Sequence, residues 1–304
     1  MSLYLVTGGA GFIGTNLVKK LLADGHAVRV LDNWRAGRFP ERVQPGAEYL
    51  TGDIRNSDDV RQAMSSIEGV FHLAAAPRVP YSIEHPQETN EHNITGTLNV
   101  LVAARDAGVK RLVYSASSSV YGNLEMKKKL SESTPPHPLS PYALQKLAAE
   151  HYCRLFAELY GFPTVSLRYF NVYGSYLDPN GAYALVIGKF LRQRKAGEPL
   201  TICGDGQYWR DFTEVEDVVQ ANILAMTSPA VGKGEVINIG YGQARSVQEL
   251  AALIGGPTVA IPERPGDPRF SEADNSLAKQ LLNWQPTISL EEGIGRLKRE
   301  WGIT

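Results

Sequence analysis

Short apolar runs alternate with longer amphipathic segments through the first half of the chain. Six of the runs are candidate strands, over residues 3–7, 27–31, 48–50, 70–73, 111–115 and 164–168. The segments between them place apolar residues at helical spacing, over residues 12–24, 57–66, 88–107 and 142–160. Strands that alternate with helices predict a parallel sheet with helices packed on both faces.

Residues that favour helix ends lie where the amphipathic segments start and stop. Three glycines each follow a helical segment, at the position where glycine commonly ends a helix: Gly25, Gly108 and Gly161. Ser140 and Pro141 form a favourable N-cap and first-turn pair. The last of the four helices is therefore expected to begin here, with Tyr142 in its first turn.

A glycine-rich segment follows the first predicted strand and opens the first predicted helix. It contains Gly8, Gly11 and Gly14 at three-residue spacing, and also Gly9. Glycines at this place permit a tight turn, let the backbone approach a pyrophosphate and leave the helix N-terminus directed at its charge. Because strand, turn and helix occur in this order, the motif predicts a dinucleotide site.

An acidic residue near the end of the second predicted strand indicates which dinucleotide is bound. Asp32 can accept hydrogen bonds from an adenosine ribose and would repel a 2′-phosphate, which favours NAD over NADP. Arg35 lies nearby in the sequence and could weaken that preference. NAD is the predicted cofactor.

The alternation of strands and helices ends near residue 170, where turn-forming clusters begin to punctuate shorter elements. A further apolar run, residues 236–240, has the character of a buried strand that returns to the main sheet. We expect an α/β fold with a doubly wound parallel sheet of Rossmann type and a smaller mixed α/β domain. The predicted nucleotide-binding domain covers residues 1–170 with a returning segment near 213–240, and the substrate-binding domain covers 171–304.

Composition and charge argue against several classes of protein. The 304 residues are 43% hydrophobic and 21% charged, and a formal net charge of −1 gives no field that would attract nucleic acid or an anionic membrane. No secretory signal pattern opens the chain, and no apolar stretch approaches the roughly 18 residues of a membrane span. Cys153 and Cys203 make no disulfide framework, so a cytoplasmic location is expected. The six histidines lack metal-ligand spacing, and no metal site is expected.

Tyr142 and Lys146 stand four residues apart, so on a helix their side chains share one face. A phenol normally titrates near ~10, and a neighbouring cation favours the phenolate, which brings the group towards a general base at neutral pH. Tyr-x-x-x-Lys is a weak signal when it stands alone. Here a serine-rich segment, residues 115–122, lies upstream of the pair.

The glycine loop, the serine-rich segment and the Tyr-x-x-x-Lys pair together resemble the extended short-chain dehydrogenase/reductase family. Within that family the chain is most similar to nucleotide-sugar 4-epimerases of the UDP-glucose and UDP-N-acetylglucosamine type. The resemblance implies that Tyr142 is the catalytic base and that Lys146 holds the nicotinamide ribose while lowering the pKa of the tyrosine. It also implies that Ser117 bridges the substrate hydroxyl and Tyr142.

The same resemblance extends the cofactor site beyond the glycine loop and Asp32. It implies contacts from an Asp-hydrophobe pair on the adenine side, from a strand end with small residues beside the pyrophosphate, and from an asparagine near the nicotinamide half. The further residues expected to bind NAD are Phe12, Ile13, Asn33, Asp53, Ile54, Leu73, Ala74, Ala75 and Asn93.

The residues after Ser117 bear on the chemistry at the sugar. Relatives that eliminate water carry an Asp-Glu pair directly after the bridging hydroxyl residue, and relatives that decarboxylate place a glutamate at the second position. This chain has Ser118 and Ser119 there. Because a serine cannot act as the carboxylate that moves the C5 proton, elimination is disfavoured. Inversion of C4 through a transient 4-keto intermediate remains.

The resemblance also implies a UDP-sugar as substrate. Asn171 matches an asparagine that contacts the substrate phosphate, Arg210 and Arg264 match arginines on the diphosphate, and Asp267 matches an aspartate on the uridine ribose. Two arginines with fixed donor geometry suit a diphosphate well. Ser118 is also expected to line the sugar site.

One position bears on the choice of sugar. A small residue four positions after Asp267 goes with tolerance for a 2-acetamido group, and Ser271 stands there. A one-residue slip would put Phe270 in its place and reverse the inference. We expect UDP-N-acetylhexosamines to be accepted, along with UDP-glucose and UDP-galactose.

Other functions remain open at this point. One is a different NAD-dependent enzyme of the same fold, either a UDP-glucuronate 4-epimerase or a nucleotide-sugar reductase. Another is a non-catalytic NAD-sensing protein, although such proteins usually lose the tyrosine or the lysine. The resemblance further implies a homodimer through the helices near residues 88–107 and 142–160.

Overall fold

A seven-stranded parallel sheet forms the centre of the computed structural model, which describes residues 1–35, 37–123, 128–178, 185–263 and 268–303. The strands, in chain order, are β1 (Leu3–Thr7), β2 (Ala27–Asp32), β3 (Glu48–Thr51), β4 (Gly69–His72), β5 (Arg111–Ser117), β6 (Thr164–Tyr169), β7 (Val172–Tyr173), β8 (Leu200–Cys203), β9 (Trp209–Asp211), β10 (Thr213–Glu214), β11 (Lys233–Ile239), β12 (Ala244–Ser246), β13 (Thr258–Ile261) and β14 (Phe270–Ser271).

Helices follow most of the strands and cover both faces of the sheet. They are α1 (Phe12–Ala23), α2 (Ser57–Ala63), α3 (Val79–Glu84), α4 (Pro86–Asn90), α5 (Gly96–Asp106), α6 (Pro141–Tyr160), α7 (Val186–Lys195), α8 (Val215–Thr227), α9 (Val247–Ile254), α10 (Ser276–Leu282) and α11 (Leu290–Glu300). A π-helical turn, Glu91–Thr95, joins α4 to α5, and 3-10 turns cover Pro40–Arg42 and Ser118–Tyr121.

The strand order of the central sheet is β11-β6-β5-β4-β1-β2-β3, and every neighbouring pair is parallel. The order reverses direction beside β1, which is the arrangement of a doubly wound α/β fold with a ligand crevice at the carboxyl ends. The strand β11 pairs with β6 although it lies more than sixty residues further along the chain. The chain therefore returns to the main sheet after the alternation of strands and helices has ended near residue 170.

Two apolar cores lie on opposite faces of the sheet, and a third lies in the second half of the chain. One core packs α1 and α8 on the sheet, and the opposite one packs α2, α5 and α6. The third packs α7, α9 and α11 together. Phe12 contacts both the first and the third core, so the start of α1 lies where the two halves of the molecule meet.

The predicted strands and helices agree with the structure except around residues 79–107. The pattern predicted one helix over residues 88–107, whereas α4, the π-helical turn and α5 share that region, and α3 precedes them. The π-helical turn inserts an extra residue between two helical stretches, which a period of 3.6 does not show. Ser140 caps α6 as expected, accepting from Ala143 N at 3.2 Å, and Gly161 ends it with a φ of 63°.

A buried ion pair joins α6 to β6 beneath the carboxyl edge of the sheet. Arg168 donates from Nε and Nη2 to the two carboxylate oxygens of Glu150, at 2.9 and 2.6 Å. Both side chains are only 4% exposed. The guanidinium also lies 4.7 Å from the centre of the Tyr121 ring. This pair is one of the contacts that hold α6 against the sheet.

We expect Glu150→Ala to lower the free energy of unfolding by about 3–5 kcal/mol, because it leaves the Arg168 charge buried without its partner. Urea unfolding followed by circular dichroism measures the change. Asp58→Ala, which breaks an exposed pair with Arg61, is the control and should have little effect. Equal losses in the two variants would contradict a structural role for the buried pair.

Candidate active site

The carboxyl ends of β1, β2, β4 and β5 meet at one edge of the sheet, and the candidate residues collect there. The glycine loop follows β1, Asp32 ends β2, Leu73 follows β4 and Ser117 ends β5. Parallel pairing places these ends side by side, because β1 lies between β2 and β4 and β5 lies beside β4. Ligands of doubly wound sheets bind in the crevice outside this edge.

The glycine loop is packed so closely that two of its positions accept only glycine. Gly8 has a φ of +71°, and a Cβ on it would lie 2.7 Å from the Ala74 nitrogen. A Cβ on Gly14 would lie 2.3 Å from the Gly8 oxygen. Gly11 is the N-cap of α1, and within the described ranges no side chain caps that helix. Its first N–H groups are directed at the crevice, as an anion-binding loop requires.

Asp32 lies beside the glycine loop and is held by backbone donors. Its carboxylate accepts from Ala10 N at 3.1 Å and from Trp34 N at 2.8 Å. Burial raises the pKa of Asp32, while these two hydrogen bonds lower it. Arg35, which could weaken a preference for NAD, points away from it: the guanidinium bonds to Glu88 and, at 2.9 Å, to His92.

The Asp53 side chain forms a cluster next to Asp32. Asn33 Nδ2 donates to its carboxylate at 2.9 Å, and Arg55 donates from Nε at 3.0 Å and from Nη2 at 2.9 Å. Burial alone would raise the pKa of Asp53, but these bonds lower it below its ordinary range. Ile54, the next residue in the chain, is buried. The predicted adenine-side residues therefore lie together.

His72 bridges the glycine-loop strand to α5 and fixes the segment that starts at Leu73. It bonds to Thr7 Oγ1 at 2.7 Å and to Thr97 Oγ1 at 3.0 Å, and Thr7 Oγ1 accepts from Ala74 N at 3.3 Å. Burial lowers the pKa of His72 to about 3, so the ring is neutral at physiological pH. His72 thus links β1 to α5, and the sequence pattern did not indicate this role.

Asn93 links the segment after β4 to the helix that carries the candidate base. Its Oδ1 accepts from Ala76 N at 2.8 Å, and its Nδ2 donates to Ala76 O at 3.2 Å and to Gln145 Oε1 at 2.8 Å. The side chain is almost fully buried. Asn93 thus ties the segment around Ala75 to Gln145, the residue that directly precedes Lys146 in α6.

Tyr142 lies in the first turn of α6, with its phenol directed to the end of β5. The phenol interacts with Ser117, whose Oγ accepts from Ser119 N at 3.2 Å and from Ser119 Oγ at 2.9 Å. Burial raises the pKa of Tyr142, whereas the interaction with Ser117 and the charge of Arg78 lower it. Ser118 and Ser119 lie in the 3-10 turn directly after Ser117.

Lys146 is buried below Tyr142, and its ammonium is bound by β5. Nζ donates to Ser115 O at 2.7 Å and lies 4.8 Å from the centre of the Tyr114 ring. Burial lowers the pKa of Lys146 to about 7. That this ammonium lowers the pKa of Tyr142 stays a prediction.

In the second half of the chain, a network of hydrogen bonds around Asp211 brings separate segments together. Asp211 accepts from Tyr241 N at 2.8 Å and from Gly242 N and Ala273 N, both at 2.9 Å. Asn171 Nδ2 donates to the Asp211 backbone oxygen at 3.0 Å. Burial raises the pKa of Asp211 to about 6, although the three backbone bonds oppose the rise.

Arg210 and Ser271 are paired residues in the three-stranded sheet β12-β9-β14, beside this network. The parallel register of β9 and β14 pairs Ser271 with Arg210 and Phe270 with Trp209. Since side chains alternate along a strand, Ser271 lies on the face of Arg210, and Phe270 lies on the other. Arg264 and Asp267 lie outside the described residues.

Two residues beside Tyr142 were not singled out from the sequence. Ser82 Oγ accepts from Tyr142 N at 3.0 Å and is fully buried. Arg78, one turn before it, has a φ of 114° and interacts electrostatically with Tyr142. Both positions depend on how α3 packs against α6, for which the sequence has no local signal.

In the described part of the chain, no group of three or more His, Cys, Asp or Glu residues could hold a metal ion, and no helix is long and apolar enough to cross a membrane.

The residues at the carboxyl edge fit a bound dinucleotide. The backbone approach at Gly8 and Gly14 makes a cradle that a Cβ would fill, and the uncapped N-terminus of α1 opens onto it. Asp32 stands beside the cradle, where a ribose would follow the pyrophosphate. Tyr142 and Lys146 lie at the other end, against β5.

Comparison with known proteins places this site in a family. Residues 4–240 match the model of the NAD dependent epimerase/dehydratase family. The chain is 38% identical over 300 residues to a putative UDP-glucose 4-epimerase of Methanocaldococcus jannaschii, with 96% of each chain covered. It is 35% identical over 323 residues to a UDP-glucuronate 4-epimerase of Thermodesulfobacterium geofontis, covering 97% of this chain and 95% of the relative.

Solved structures show the same likeness over nearly the whole chain. A UDP-glucose 4-epimerase of Thermotoga maritima with UDP-glucose has a TM-score of 0.93 at 39% identity, covering 99% of this chain and 98% of that one. The Thermus thermophilus UDP-glucose 4-epimerase with NAD has a TM-score of 0.91 at 34% identity, with 99% of both covered. A UDP-N-acetylglucosamine 4-epimerase of Methanobrevibacter ruminantium, in complex with UDP-N-acetylmuramic acid, has a TM-score of 0.92 at 34% identity, covering 99% and 98%.

We expect Gly8→Ala to weaken NAD binding by roughly tenfold or more, because its Cβ would push the loop away from Ala74 and distort the cradle. Calorimetric titration with NAD measures the affinity. Gly25→Ala is the matched control: Gly25 also has a positive φ, of +81°, but a Cβ on it would meet no atom within 4 Å. Both variants carry the backbone strain. Equal NAD affinity in the two would show that the close approach at Gly8 is not needed.

Proposed function

Because the chain belongs to the NAD dependent epimerase/dehydratase family, we propose that it inverts C4 of a UDP-hexose. NAD is its cofactor and, when bound, supplies the hydride acceptor and donor. The observation that carries the proposal is that Tyr142 interacts with Ser117 at the carboxyl edge, with Ser118 and Ser119, not carboxylates, next to it.

In the proposed mechanism Tyr142 moves the proton of the sugar 4-hydroxyl. Ser117 bridges that hydroxyl and the phenol, so the proton passes along a short hydrogen-bonded path. Lys146, bound to Ser115 O, stands behind the base and holds the nicotinamide ribose. Oxidation at C4 yields a 4-keto sugar, which rotates in the site before it is reduced on its other face. Because the hydride returns to the sugar, no nicotinamide is consumed overall.

The neighbouring serines explain why the ketone would be reduced again without losing a group. Elimination needs a carboxylate to move the C5 proton, and the side chains at 118 and 119 are hydroxyls. A hydroxyl with an ordinary pKa cannot take a carbon-bound proton at neutral pH. The ketone therefore persists until its opposite face is presented.

We further propose that the diphosphate of the substrate is bound by Arg210, with Asn171 beside it. The hydrogen-bond network around Asp211 supports this, because Asn171 donates to the backbone oxygen of Asp211, the residue that directly follows Arg210. Arg264 and Asp267 are proposed as further contacts, to the diphosphate and the uridine ribose, on the resemblance of their segment alone.

UDP-N-acetylhexosamines are proposed as substrates together with UDP-glucose and UDP-galactose. The strand pairing supports Ser271, not Phe270, as the residue beside the sugar, because Ser271 shares the face of Arg210. A small side chain there leaves room for a 2-acetamido group. A UDP-glucuronate 4-epimerase is the second candidate, since a relative of that name matches over nearly the whole chain.

The protein is proposed to act as a homodimer through α5 and α6. Leu144, Leu155 and Leu159 are exposed and lie on one face of α6. A face with three large apolar side chains is poorly suited to water, and a second copy would cover it.

Incubation with UDP-N-acetylglucosamine, UDP-glucose or UDP-glucuronate, each followed by proton NMR, tests the function. We expect the C4 epimer of the two UDP-hexoses to form with no net change in nicotinamide absorbance. Inversion of UDP-glucuronate alone would support the second candidate, and net nicotinamide turnover would indicate a reductase. If none of the three is inverted even with NAD supplied, the proposal is wrong.

Tyr142→Phe is the control variant for this experiment. It keeps the ring and should bind NAD, but loss of the base should slow turnover by roughly 10²-fold or more. Full activity in this variant would exclude Tyr142 as the base.

Leu159→Glu should dissociate the proposed dimer, because it places a charge in the apolar face of α6. Light scattering after gel filtration should show about twice the 33.3 kDa chain mass for the unaltered protein and a monomer for the variant. Val259→Glu, on an exposed apolar residue of β13, is the control and should stay dimeric. A monomeric unaltered protein at micromolar concentration would refute the dimer.

A further inference from the structure

The Arg35 side chain leaves the adenosine side of the cofactor site and binds to the helical segments that follow β4. Its Nη1 donates to Glu88 Oε1, in α4, and lies 2.9 Å from Nε2 of His92, in the π-helical turn. The guanidinium also lies 4.9 Å from the centre of the Tyr81 ring, on α3. Partners from three elements therefore hold this one guanidinium.

Glu88 is bound through both of its carboxylate oxygens. The Tyr81 hydroxyl donates to Glu88 Oε2 at 2.6 Å, so the carboxylate bridges the tyrosine and Arg35. The bond from Tyr81 and, after it, Arg35 lower the pKa of Glu88, which is therefore charged at neutral pH. Burial lowers the pKa of His92, so its ring is neutral and Nε2 can accept from Arg35. An exposed ion pair contributes little by itself, but here an acid, an imidazole and an aromatic face bind the same cation.

The backbone of Arg35, in contrast, lies at the ribose end of the site. Arg35 N donates to Asn33 Oδ1 at 3.1 Å, and Asn33 Nδ2 donates to Asp53 at 2.9 Å. Asp32, whose carboxylate is expected at the ribose hydroxyls, directly precedes Asn33. In dinucleotide-binding folds an arginine near this position accommodates a 2′-phosphate. Arg35 therefore carries the chemistry for NADP, close to the acid that repels it.

Other arginines near the adenosine side are bound in different ways. Arg55 pairs with Asp53, which is itself an expected cofactor residue. Arg42 donates at 2.8 Å to a backbone oxygen in the second half of the chain. Arg38 lies over an indole ring, 4.7 Å from its centre. Arg35 differs from Arg55 in that its acidic partner lies outside the expected cofactor residues, so that partner can decide where its charge lies.

We propose that Glu88 is a specificity-determining residue for the cofactor, because it keeps the Arg35 guanidinium away from the 2′ position of the adenosine ribose. Asp32 disfavours a 2′-phosphate directly, and Glu88 disfavours it by withholding a cation that would bind it. Tyr81 supports Glu88 by binding its second oxygen. The expected preference for NAD thus depends on an acid in α4 as well as on the acid at the end of β2.

Competition between the two dinucleotides tests this without relying on turnover. The protein is loaded with radiolabelled NAD and dialysed against NADP, and the NAD that is displaced gives the ratio of the two dissociation constants. We expect Glu88→Gln to raise the affinity for NADP by on the order of tenfold, because the released guanidinium can form a bidentate pair with the 2′-phosphate. The affinity for NAD should stay within about twofold, which also shows that the site is folded.

Variants of the arginines show whether the gain comes from the Arg35 side chain. Arg35→Gln alone should leave the ratio unchanged, because the guanidinium is already held away from the ribose. Glu88→Gln combined with Arg35→Gln should lose the gain in NADP affinity. Glu88→Gln combined with Arg38→Gln should keep it.

Glu91→Gln is the matched control for charge. Glu91 is exposed and pairs with Arg55 at 3.4 Å, so its replacement removes the same charge nearby without releasing Arg35. The ratio should stay near that of the unaltered protein. An unchanged ratio in Glu88→Gln that still binds NAD would overturn the proposal. So would an equal rise in Glu91→Gln, or a gain that persists when Arg35 is replaced as well.

Discussion

The burial of the Lys146 ammonium is the constraint on which the rest of the site depends. A charge only 4% exposed is costly unless the protein replaces the lost water, and here Ser115 O and the face of the Tyr114 ring do so. Both partners belong to β5, so this turn of α6 lies against that strand. Tyr142, one turn earlier, is thereby brought to the end of β5.

The same constraint orders the surroundings of the pair. Gln145 packs next to Lys146 and binds Asn93, which in turn holds the segment after β4. That segment touches the glycine loop at Gly8, where the backbones are too close for any side chain. The base, the strand end and the dinucleotide cradle are therefore one connected structure, and displacing α6 would disturb all three.

The second half of the chain attaches to this structure through the central sheet, the first core and defined hydrogen bonds. The strand β11 extends the main sheet beside β6, and Asn16 of α1 donates to Ser175 O at 2.9 Å. Asp211 accepts from three backbone amides in two separate segments. A substrate that spans the two halves would meet the base on one side and Arg210 on the other.

Most of the central fold could be predicted from the sequence, since buried parallel strands and amphipathic helices have strong periodic signals. The glycine loop and the start of α6 were predictable for the same reason: their end signals are local. The π-helical turn at Glu91–Thr95 was not, because its extra residue arises from packing. Family resemblance gave the candidate roles of Asn93 and Asn171, but not that their amides bind Ala76 and Asp211 of the chain itself.

The electrostatics of the base could not be predicted from spacing alone. The spacing of four positions from Tyr142 to Lys146 indicates a shared helix face, yet burial and the partners on β5 decide where the ammonium points. Arg78 lies 64 positions before Tyr142, and its effect depends on the docking of α3 onto α6. Such effects belong to tertiary structure, and no local pattern in the sequence carries them.

The fate of the hydrogen on C4 is the most direct measurement of the proposed reaction. A UDP-hexose labelled with deuterium at C4 is incubated in ordinary water with the NAD-loaded protein and no added nicotinamide, and the epimer is isolated. If the same hydrogen leaves and returns within one site, the product keeps deuterium at C4. An epimer that carries protium at C4 would mean exchange with water, and it would contradict inversion by oxidation and internal return.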